Sequence, residues 1–530
     1  MKVIKNRYIP QFFSANPLPC VWIFTVFLVF FWHLQTLVVS PSVYPDEAVI
    51  LDMGRVALAP DTDWSIQWHV LEEHPDHIFQ WVGPVLQELA LRFGHYSMYG
   101  PRIAGVLGGI LAATLFLCWL RMREVPKMVA ALVALAFLLD PLFVFDYRSG
   151  RTDMWVIALC IASCILIRHW TKVSARNHSD TTLDGSILAG AGAVAASAFF
   201  VWPSAAFLYP LILLELIVSI QYSGRQPRKV CLLTMKVFGL FIVGATVATL
   251  LLIIPIWNVL FESAVVLFNH AGGVTDTQNL FDWKSLLYSF RINFPLLLVV
   301  GVSAIYALAK SKDMVIVAGI VTILILLTST YHCRAVYLVP VYYSVVAIGL
   351  AQMIGDHSNY PIHRRLGYIL LGGLIVYNIA LSGGVRHFLG TQKSMGNDPA
   401  LLMKVGKETI GRTDAKVYDA DMDFYYVGRS LGWKMYRPYF IHADSDDKQF
   451  IKFLARVDYA ILRLLPQHNV ERFSDDERLA VEKAGLKYRG ILVVSLPQSG
   501  PENQAPFWDR VLLGGGPTYG PYLIFSRYSH

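Results

Sequence analysis

Two adjacent carboxylates, Asp46 and Glu47, follow the first long apolar run of this 530-residue sequence. An acidic pair at the edge of a membrane can supply a general base and a ligand for a divalent metal ion. The same residues also suit the start of a helix, where Asp46 would cap the first turn and Glu47 would complement the helix dipole. The two residues alone leave both interpretations open.

A second cluster combines Arg148 and Arg151 with Asp146 and Asp153. Guanidinium groups beside a membrane suit a phosphate or diphosphate head group, which they bind bidentately. The alternative is that the arginines pair with Asp146, Asp153 and the nearby Asp140, and that Asp153 caps the next helix. Because a charge near the membrane edge is costly unless it is used, the cluster favours a functional role.

Other titratable residues are weaker candidates. His332 and Arg334 precede a late apolar run, and a lone histidine there is more often an interface residue, so Arg334 is the better candidate for chemistry. Glu73 and His74 have the residue types of a metal site, although adjacent positions rarely converge on one ion. Glu215 lies inside an apolar run, where it either pairs or has a function.

Charged residues are distributed unevenly along the chain. The first 384 residues contain 46 of them, about 12%, whereas the last 146 contain 37, about 25%, which is the usual share in soluble domains. With 55% hydrophobic residues, this predicts an α-helical polytopic membrane region over residues 1–384 and a soluble domain, the tail, over 385–530. A wholly soluble enzyme, a disulfide scaffold and a single-span receptor are excluded. The net charge of +7 does not cluster on a soluble face, so no nucleic-acid partner is expected.

About 20 apolar residues cross a bilayer. On that criterion the sequence predicts about eleven transmembrane helices, near residues 20–39, 99–120, 128–145, 154–169, 186–201, 204–220, 237–256, 292–309, 314–330, 335–353 and 367–384.

Basic residues concentrate in alternate connections between these runs, which is typical of cytoplasmic loops. If the N-terminus is cytoplasmic, every inside loop is basic, and the acid–arginine clusters and the tail face outward. One long outer segment, residues 40–98, carries nine of the 21 acidic residues that precede residue 385. We call it the first long loop, and its apolar spacing predicts helices along the membrane surface.

The tail alternates helical and strand-like patterns. Helical spacing covers residues 399–410, 446–457 and 475–484, and short strand-like runs cover 416–418, 459–464 and 491–496. This alternation predicts a small α/β domain.

The order of these motifs resembles the GT-C superfamily of membrane glycosyltransferases. The nearest branch contains the aminoarabinose transferase of lipid A and the Rgt-type transferases, and is related to protein O-mannosyltransferases. The resemblance spans residues 20–355 and rests on Pro45-Asp46-Glu47-Ala48, Gly100-Pro101-Arg102-Ile103-Ala104-Gly105, Arg148, Arg151, Asp153, Arg334, Tyr337 and Pro340.

The resemblance implies an inverting transfer of one sugar from a polyprenyl-phosphate donor to a lipid, glycan or protein acceptor. It implies that Asp46 is the base toward the acceptor hydroxyl, and that Asp153 helps to hold a divalent metal or the acceptor. Arg148, Arg151 and Arg334 would neutralise the leaving lipid phosphate. It also implies a multi-pass protein of the bacterial inner membrane. The alternation of basic loops favours a cytoplasmic N-terminus and a tail on the outer face of that membrane.

The metal would be Mg, Mn or Zn, held by Asp46 and Asp153, with Glu47, Glu73, His74 and His332 as further candidates for binding the metal or the acceptor. The chain departs from the aminoarabinose branch at His74, where that branch has lysine between Glu and Pro, and at residues 200–203, where a lysine-containing element is absent.

Two other classes of function remain to be weighed. A transporter or flippase of lipid-linked sugars would need ionisable residues near the centres of its spans, and Glu215 is the main candidate. A structural membrane protein with a partner-binding tail would leave the outward-facing arginines unexplained.

Overall fold

The computed structural model describes residues 18–39, 41, 43, 45–59, 80–176, 182–223, 227–259, 284–311, 315–327, 332–355, 361–385, 399–420, 422–436, 448–463, 473–492 and 521–528.

Apolar segments in a bilayer must satisfy their backbone hydrogen bonds internally, so they fold as helices. The α-helices described before residue 385 are α1 (Leu18–Leu34), α2 (Pro45–Leu58), α3 (Val82–Phe93), α4 (Tyr99–Met122), α5 (Lys127–Leu138), α6 (Pro141–Arg148), α7 (Asp153–Arg176), α8 (Thr182–Val201), α9 (Tyr209–Ser223), α10 (Pro227–Ile253), α11 (Lys284–Tyr306), α12 (Val315–Leu327), α13 (Val339–Gly355) and α14 (Pro361–Ile379). Short 3₁₀ helices lie at Pro203–Leu208, Ile254–Val259 and His332–Leu338, and π-helical turns at Ala307–Ser311 and Ala380–Val385.

Every predicted apolar run coincides with one of these helices. Within the described part of the chain, six helical segments are long and apolar enough to cross a membrane, and the bent pair α5–α6 makes a seventh. Four shorter apolar helices match the remaining predicted runs. The chain is therefore a multi-pass membrane protein, and the count of eleven spans stays a prediction.

The bend between α5 and α6 positions Asp146, Arg148, Arg151 and Asp153, which we call the acid–arginine cluster. The two helices meet at 54°, where Pro141 begins α6 and the Asp140 carboxylate accepts hydrogen bonds from two backbone N–H groups of its first turn (3.0 and 3.3 Å). Asp140 also accepts from Asn293 Nδ2 (3.1 Å) and from the Tyr343 hydroxyl (3.2 Å). Asp140 is thus a buried helix cap that links three helices, and the structure does not pair it with either arginine of the cluster.

Helices α8 and α10 approach each other closely through small residues, as is common between membrane helices. A Cβ atom on Gly192 would lie 1.9 Å from the Phe241 carbonyl oxygen, and one on Gly244 would lie 1.8 Å from the Ala189 carbonyl oxygen. Backbone atoms cannot rotate away from such a contact, so any larger side chain would separate the two helices.

We therefore expect Gly244→Val to lower the free energy of unfolding by about 1–3 kcal/mol or more, the usual cost of overpacking. Gly239→Val is the matched control, because it puts the same β-branched residue in the same helix at a position with no atom within 4 Å. Thermal unfolding in detergent compares the two variants. Equal melting temperatures would contradict the close contact.

The tail contains one five-stranded sheet with the order β2-β1-β3-β5-β4. Its described elements are α15 (Pro399–Thr409), β1 (Lys416–Asp419), α16 (Tyr425–Leu431), β2 (Lys434–Tyr436), α17 (Lys448–Leu454), β3 (Tyr459–Arg463), α18 (Phe473–Lys483), β4 (Lys487–Leu492) and β5 (Tyr522–Ser526). Strands β1, β2 and β3 are parallel, whereas β5 is antiparallel to both β3 and β4. The predicted α/β domain is confirmed. The sequence patterns missed β2 and β5, and placed β4 a few residues late.

The first long loop and the tail share one hydrophobic core. Ala48 and Leu51 of α2 and Leu91 of α3 are fully buried in the same cluster as Phe424 and Trp433 of the tail. Side chains of the tail therefore pack directly on the helices that follow the first span. The division of domains at residues 384 and 385 stays a prediction, and the packing shows that a continuous core crosses it.

Candidate functional site

Arg151 lies at the centre of three carboxylates from three elements. Its Nη1 atom pairs with Asp46 Oδ2, its Nε atom lies 2.8 Å from Asp153 Oδ2, and the same Nε lies 3.5 Å from Asp146 Oδ1. Arg151, Asp146 and Asp153 are buried, whereas the Asp46 side chain is 26% exposed. Asp46 is therefore the carboxylate of this cluster that an incoming molecule can reach.

A turn at Gly150 orients the Arg151 side chain toward these carboxylates. Gly150, just past the end of α6, has φ +65°, a conformation that glycine adopts without strain. A Cβ there would also lie 2.8 Å from Glu47 Oε1. Because of this turn, the side chains of Arg148 and Arg151, which the sequence places in one cluster, point in different directions.

Arg148 points to the first span. Its Nη1 atom lies 2.8 Å from His33 Nδ1, and its Nη2 atom donates to the Thr36 carbonyl (2.7 Å) and hydroxyl (2.9 Å) oxygens. His33 Nε2 in turn lies 2.7 Å from the Tyr147 hydroxyl. These contacts tie the end of α6 to the end of α1, and a role for Arg148 in phosphate binding stays a prediction.

Tyr337 and Arg334 approach the cluster from the 3₁₀ helix His332–Leu338. Residues three apart lie directly above each other in a 3₁₀ helix, and both side chains contact Phe207. The Arg334 guanidinium carbon is 5.8 Å from the Phe207 ring centroid, and the Tyr337 ring is 5.7 Å from it. The Tyr337 hydroxyl donates to Asp153 Oδ1 (2.7 Å). The Phe207 ring therefore links Arg334 to Tyr337, which binds Asp153, and a role for Arg334 in phosphate binding stays a prediction.

Three buried oxygen atoms in this region have no hydrogen-bond partner within the described residues. They are Asp146 Oδ2, Gln87 Oε1 and Thr152 Oγ1, and Gln87 Nε2 donates to the Arg151 carbonyl oxygen (3.1 Å). Buried polar atoms are nearly always hydrogen-bonded, so such exceptions suit a site that binds a polar ligand. Nothing in the local sequence pattern distinguishes Gln87, so it is not among the residues predicted from the sequence.

Glu47 is engaged differently from its neighbour Asp46. Arg102 Nε and Nη2 bind its two carboxylate oxygens at 2.9 Å each, and Arg102 Nη1 donates to the Leu37 and Pro41 carbonyl oxygens (2.8 Å each). Both side chains of this ion pair are fully buried. Arg102 thereby links the start of α4 to the first long loop. A role for Glu47 as a ligand of a metal or of the acceptor stays a prediction.

The metal hypothesis does not fit this donor set. Among the residues that the structure describes, no group of three or more His, Cys, Asp or Glu side chains could hold a metal ion. Arg151 lies where a cation bound by Asp46 and Asp153 would have to lie. Glu73 and His74 fall outside the described residues, as does the side chain of His332. A divalent metal at Asp46 and Asp153 stays a prediction.

An apolar cavity of about 460 Å³ lies between α8, α9 and α10. Its lining includes Phe199, Ile212 and Ile242, and Ile242 is more than half exposed on the outside of the bundle. Tyr209, which also lines it, follows Phe207, the partner of Arg334, by two residues. The cavity therefore lies at the outer, apolar surface of the bundle.

The first long loop covers the ends of the helices that form this cavity. Trp81 Nε1 donates to the Leu252 carbonyl oxygen at the end of α10 (3.0 Å). A Cβ on Gly83 would lie 2.5 Å from the Val201 carbonyl oxygen, at the end of α8. The start of α3 is thus seated on α8 and α10, next to the acid–arginine cluster.

Glu215 is paired, as one interpretation of the sequence expected. Its carboxylate forms ion pairs with Arg123 and Arg168 and accepts a hydrogen bond from Trp119 Nε1 (3.1 Å). Those arginines lie toward the ends of α4 and α7 that are remote from the first long loop. Since two cations compensate the carboxylate, Glu215 lends no support to the transporter hypothesis.

The bundle, the first long loop and the α/β tail together define the class of structure: the chain has the GT-C fold that its motifs predicted. It is similar to ArnT from Cupriavidus metallidurans bound to undecaprenyl phosphate, with a TM-score of 0.63 and 12% identity over 97% of this chain and 99% of that one. The apo state of the same protein gives a TM-score of 0.57, with 12% identity over 97% and 98%.

The Archaeoglobus fulgidus oligosaccharyltransferase in its apo form gives a TM-score of 0.47 at 12% identity over 86% of this chain and 73% of that one. No protein-family model and no curated protein matches the sequence.

Proposed function

We propose that the protein is an inverting glycosyltransferase, which moves a monosaccharide from a polyprenyl-phosphate donor to a lipid, glycan or protein acceptor. The observation that carries this proposal is the partly exposed Asp46 carboxylate, which Arg151 holds. Displacement at the anomeric carbon of a lipid-linked sugar needs a base, a cation for the leaving group and an apolar site for the lipid. Asp46, Arg334 and the cavity between α8, α9 and α10 are the candidates for these three roles.

In the proposed reaction, Asp46 accepts the proton of the acceptor hydroxyl while that oxygen attacks the anomeric carbon. The bond from this carbon to the phosphate oxygen breaks, and its electron pair stays on the lipid phosphate. One displacement of this kind inverts the configuration of the sugar. Arg151 orients the Asp46 carboxylate, and the proton leaves to solvent through the exposed side of Asp46.

Buried groups around Arg151 fix its position. Asp146 and Asp153 pair with its guanidinium, and Tyr337 donates a hydrogen bond to Asp153 in turn. Because these partners are buried, Arg151 holds the Asp46 carboxylate in one orientation before the substrate arrives.

The lipid part of the donor fits the cavity between α8, α9 and α10, whose lining is almost wholly apolar. The structural neighbour solved with undecaprenyl phosphate supports a polyprenyl phosphate as this lipid. We also propose, from the alternation of basic loops, that the site faces outward from a bacterial inner membrane, with the N-terminus in the cytoplasm.

The test uses purified full-length protein in nanodiscs with a panel of radiolabelled undecaprenyl-phosphate pentoses and hexoses and a membrane extract as acceptor. Transfer of label, with release of undecaprenyl phosphate, supports the proposal. An absence of transfer from every donor, together with no saturable binding of undecaprenyl phosphate, would overturn it.

Arg334→Met should weaken undecaprenyl phosphate binding and raise the KM for the donor about tenfold or more, because a charge-assisted contact to the phosphate is lost. Titration of the protein with undecaprenyl phosphate measures the first effect. The control is Arg412→Met, which removes a largely exposed guanidinium of the tail that pairs with Asp414 (3.3 Å). Equal affinities of the two variants would remove Arg334 from the donor site.

A further inference from the structure

Helix α16 of the tail lies against the first long loop through charged and phenolic side chains. The Tyr426 hydroxyl donates to Glu47 Oε1 (2.6 Å), and Arg429 Nη2 donates to Glu88 Oε1 (2.7 Å). Glu47 and Glu88 are fully buried. The helix stops at Gly432, whose φ of +77° turns the chain back into β2. The tail therefore contacts the loop at defined atoms in addition to the shared apolar core.

One of these contacts reaches the residue next to Asp46. Glu47 and Asp46 share the first turn of α2, so a movement of that turn shifts both carboxylates together. Arg102 binds Glu47 from the membrane bundle and Tyr426 binds it from the tail. The turn that carries Asp46 is thus held between two parts of the molecule.

The Tyr426 contact persists over the physiological pH range. Burial, and after it the negative charge of Glu47, raises the pKa of the Tyr426 phenol well above its ordinary value. The phenol therefore stays protonated and remains a hydrogen-bond donor to the carboxylate. A buried carboxylate that loses one of its donors is costly, so the first turn of α2 should shift when this hydroxyl is removed.

We infer that Tyr426 is a positioning residue of the tail, which acts through Glu47 to hold the first turn of α2, and with it Asp46, against Arg151. This inference rests on the proposed function, in which Asp46 is the base. It makes the tail a necessary part of the catalytic arrangement, although Tyr426 does not touch the reacting atoms.

The test compares Tyr426→Phe with Tyr522→Phe in the full chain. Both substitutions delete one buried hydroxyl that donates to a carboxylate oxygen at 2.6 Å, but the Tyr522 bond to Asp423 lies entirely within the tail. In Tyr426→Phe we expect kcat for sugar transfer to fall about tenfold, with little change in the donor KM. Amide hydrogen exchange at residues 49–53 of α2 should rise about tenfold. Tyr522→Phe should leave both quantities unchanged.

Unchanged amide exchange in α2 of Tyr426→Phe would overturn the inference, because the hydroxyl would then not hold that helix. An equal rise of exchange in both variants would also overturn it, because it would show a general loss of tail stability. Faster exchange in α2 with an unchanged kcat would also overturn it. The exchange experiment needs no sugar donor. A specific exchange effect in a protein that neither transfers any of the tested sugars nor binds undecaprenyl phosphate would therefore contradict the proposed function and leave the contact from Tyr426 to α2 supported.

Discussion

Asp46→Asn lowers kcat for sugar transfer by about 10³-fold, within the range that a positioned general base contributes. The amide has the shape of the carboxylate but cannot take a proton from the acceptor hydroxyl. Arg151 keeps two carboxylate partners, Asp146 and Asp153, so the cluster retains its neighbours. Because the Asp46 side chain is partly exposed, the substitution leaves no deeply buried unpaired group.

Labelled transfer from an undecaprenyl-phosphate sugar measures this loss, and thermal unfolding verifies the fold. Asp414→Asn serves as the control, since it makes the same chemical change at an exposed residue of the tail. Binding of undecaprenyl phosphate should stay within about twofold in both variants, because Asp46 acts on the acceptor. Wild-type activity in Asp46→Asn would remove Asp46 as the base.

Arg102→Met lowers the free energy of unfolding by about 3–5 kcal/mol, the usual cost of leaving one partner of a buried ion pair alone. Glu47 would lose both of its bonds to the guanidinium, and the Leu37 and Pro41 carbonyl oxygens would lose their donor. Chemical unfolding in mixed micelles measures the change.

Arg478→Met is the matched control for this ion pair. It breaks the Arg478–Glu482 pair (3.1 Å), whose side chains are about half exposed, and surface pairs of that kind contribute about 0–1 kcal/mol. Similar losses in both variants would mean that the Glu47–Arg102 pair is not held in a buried environment. Glu47→Gln in the Arg102→Met background should recover part of the loss, because no buried charge then remains.

Arg148 and Arg151 show what could not be predicted from the sequence. Both were given the same role, yet the structure places Arg151 among the three carboxylates and Arg148 against His33 and Thr36. The turn at Gly150 separates their directions, and the end of α1 provides the partners of Arg148. Asp140, close in sequence, is separated from Arg148 by the length of the eight-residue α6, about 12 Å.

Contacts between residues that are far apart in the sequence also could not be predicted from local sequence patterns. Tyr426 and Glu47 are 379 residues apart, and Tyr337 and Asp153 are 184 apart. Tyr337 belonged to a motif that resembles the GT-C superfamily, but only the structure shows which carboxylate it binds. Gln87 and Arg102 had no local signal that pointed to their contacts.

The sequence by itself determined that the chain is a multi-pass membrane protein with an α/β tail, and which residue types can do chemistry. These properties are local, because a bilayer acts on each apolar segment separately and a scarce charge stands out wherever it lies. The tertiary structure decided which of those charges meet. Ion pairs and hydrogen bonds depend on distances of a few ångströms between segments, and only the packing of helices and tail sets those distances.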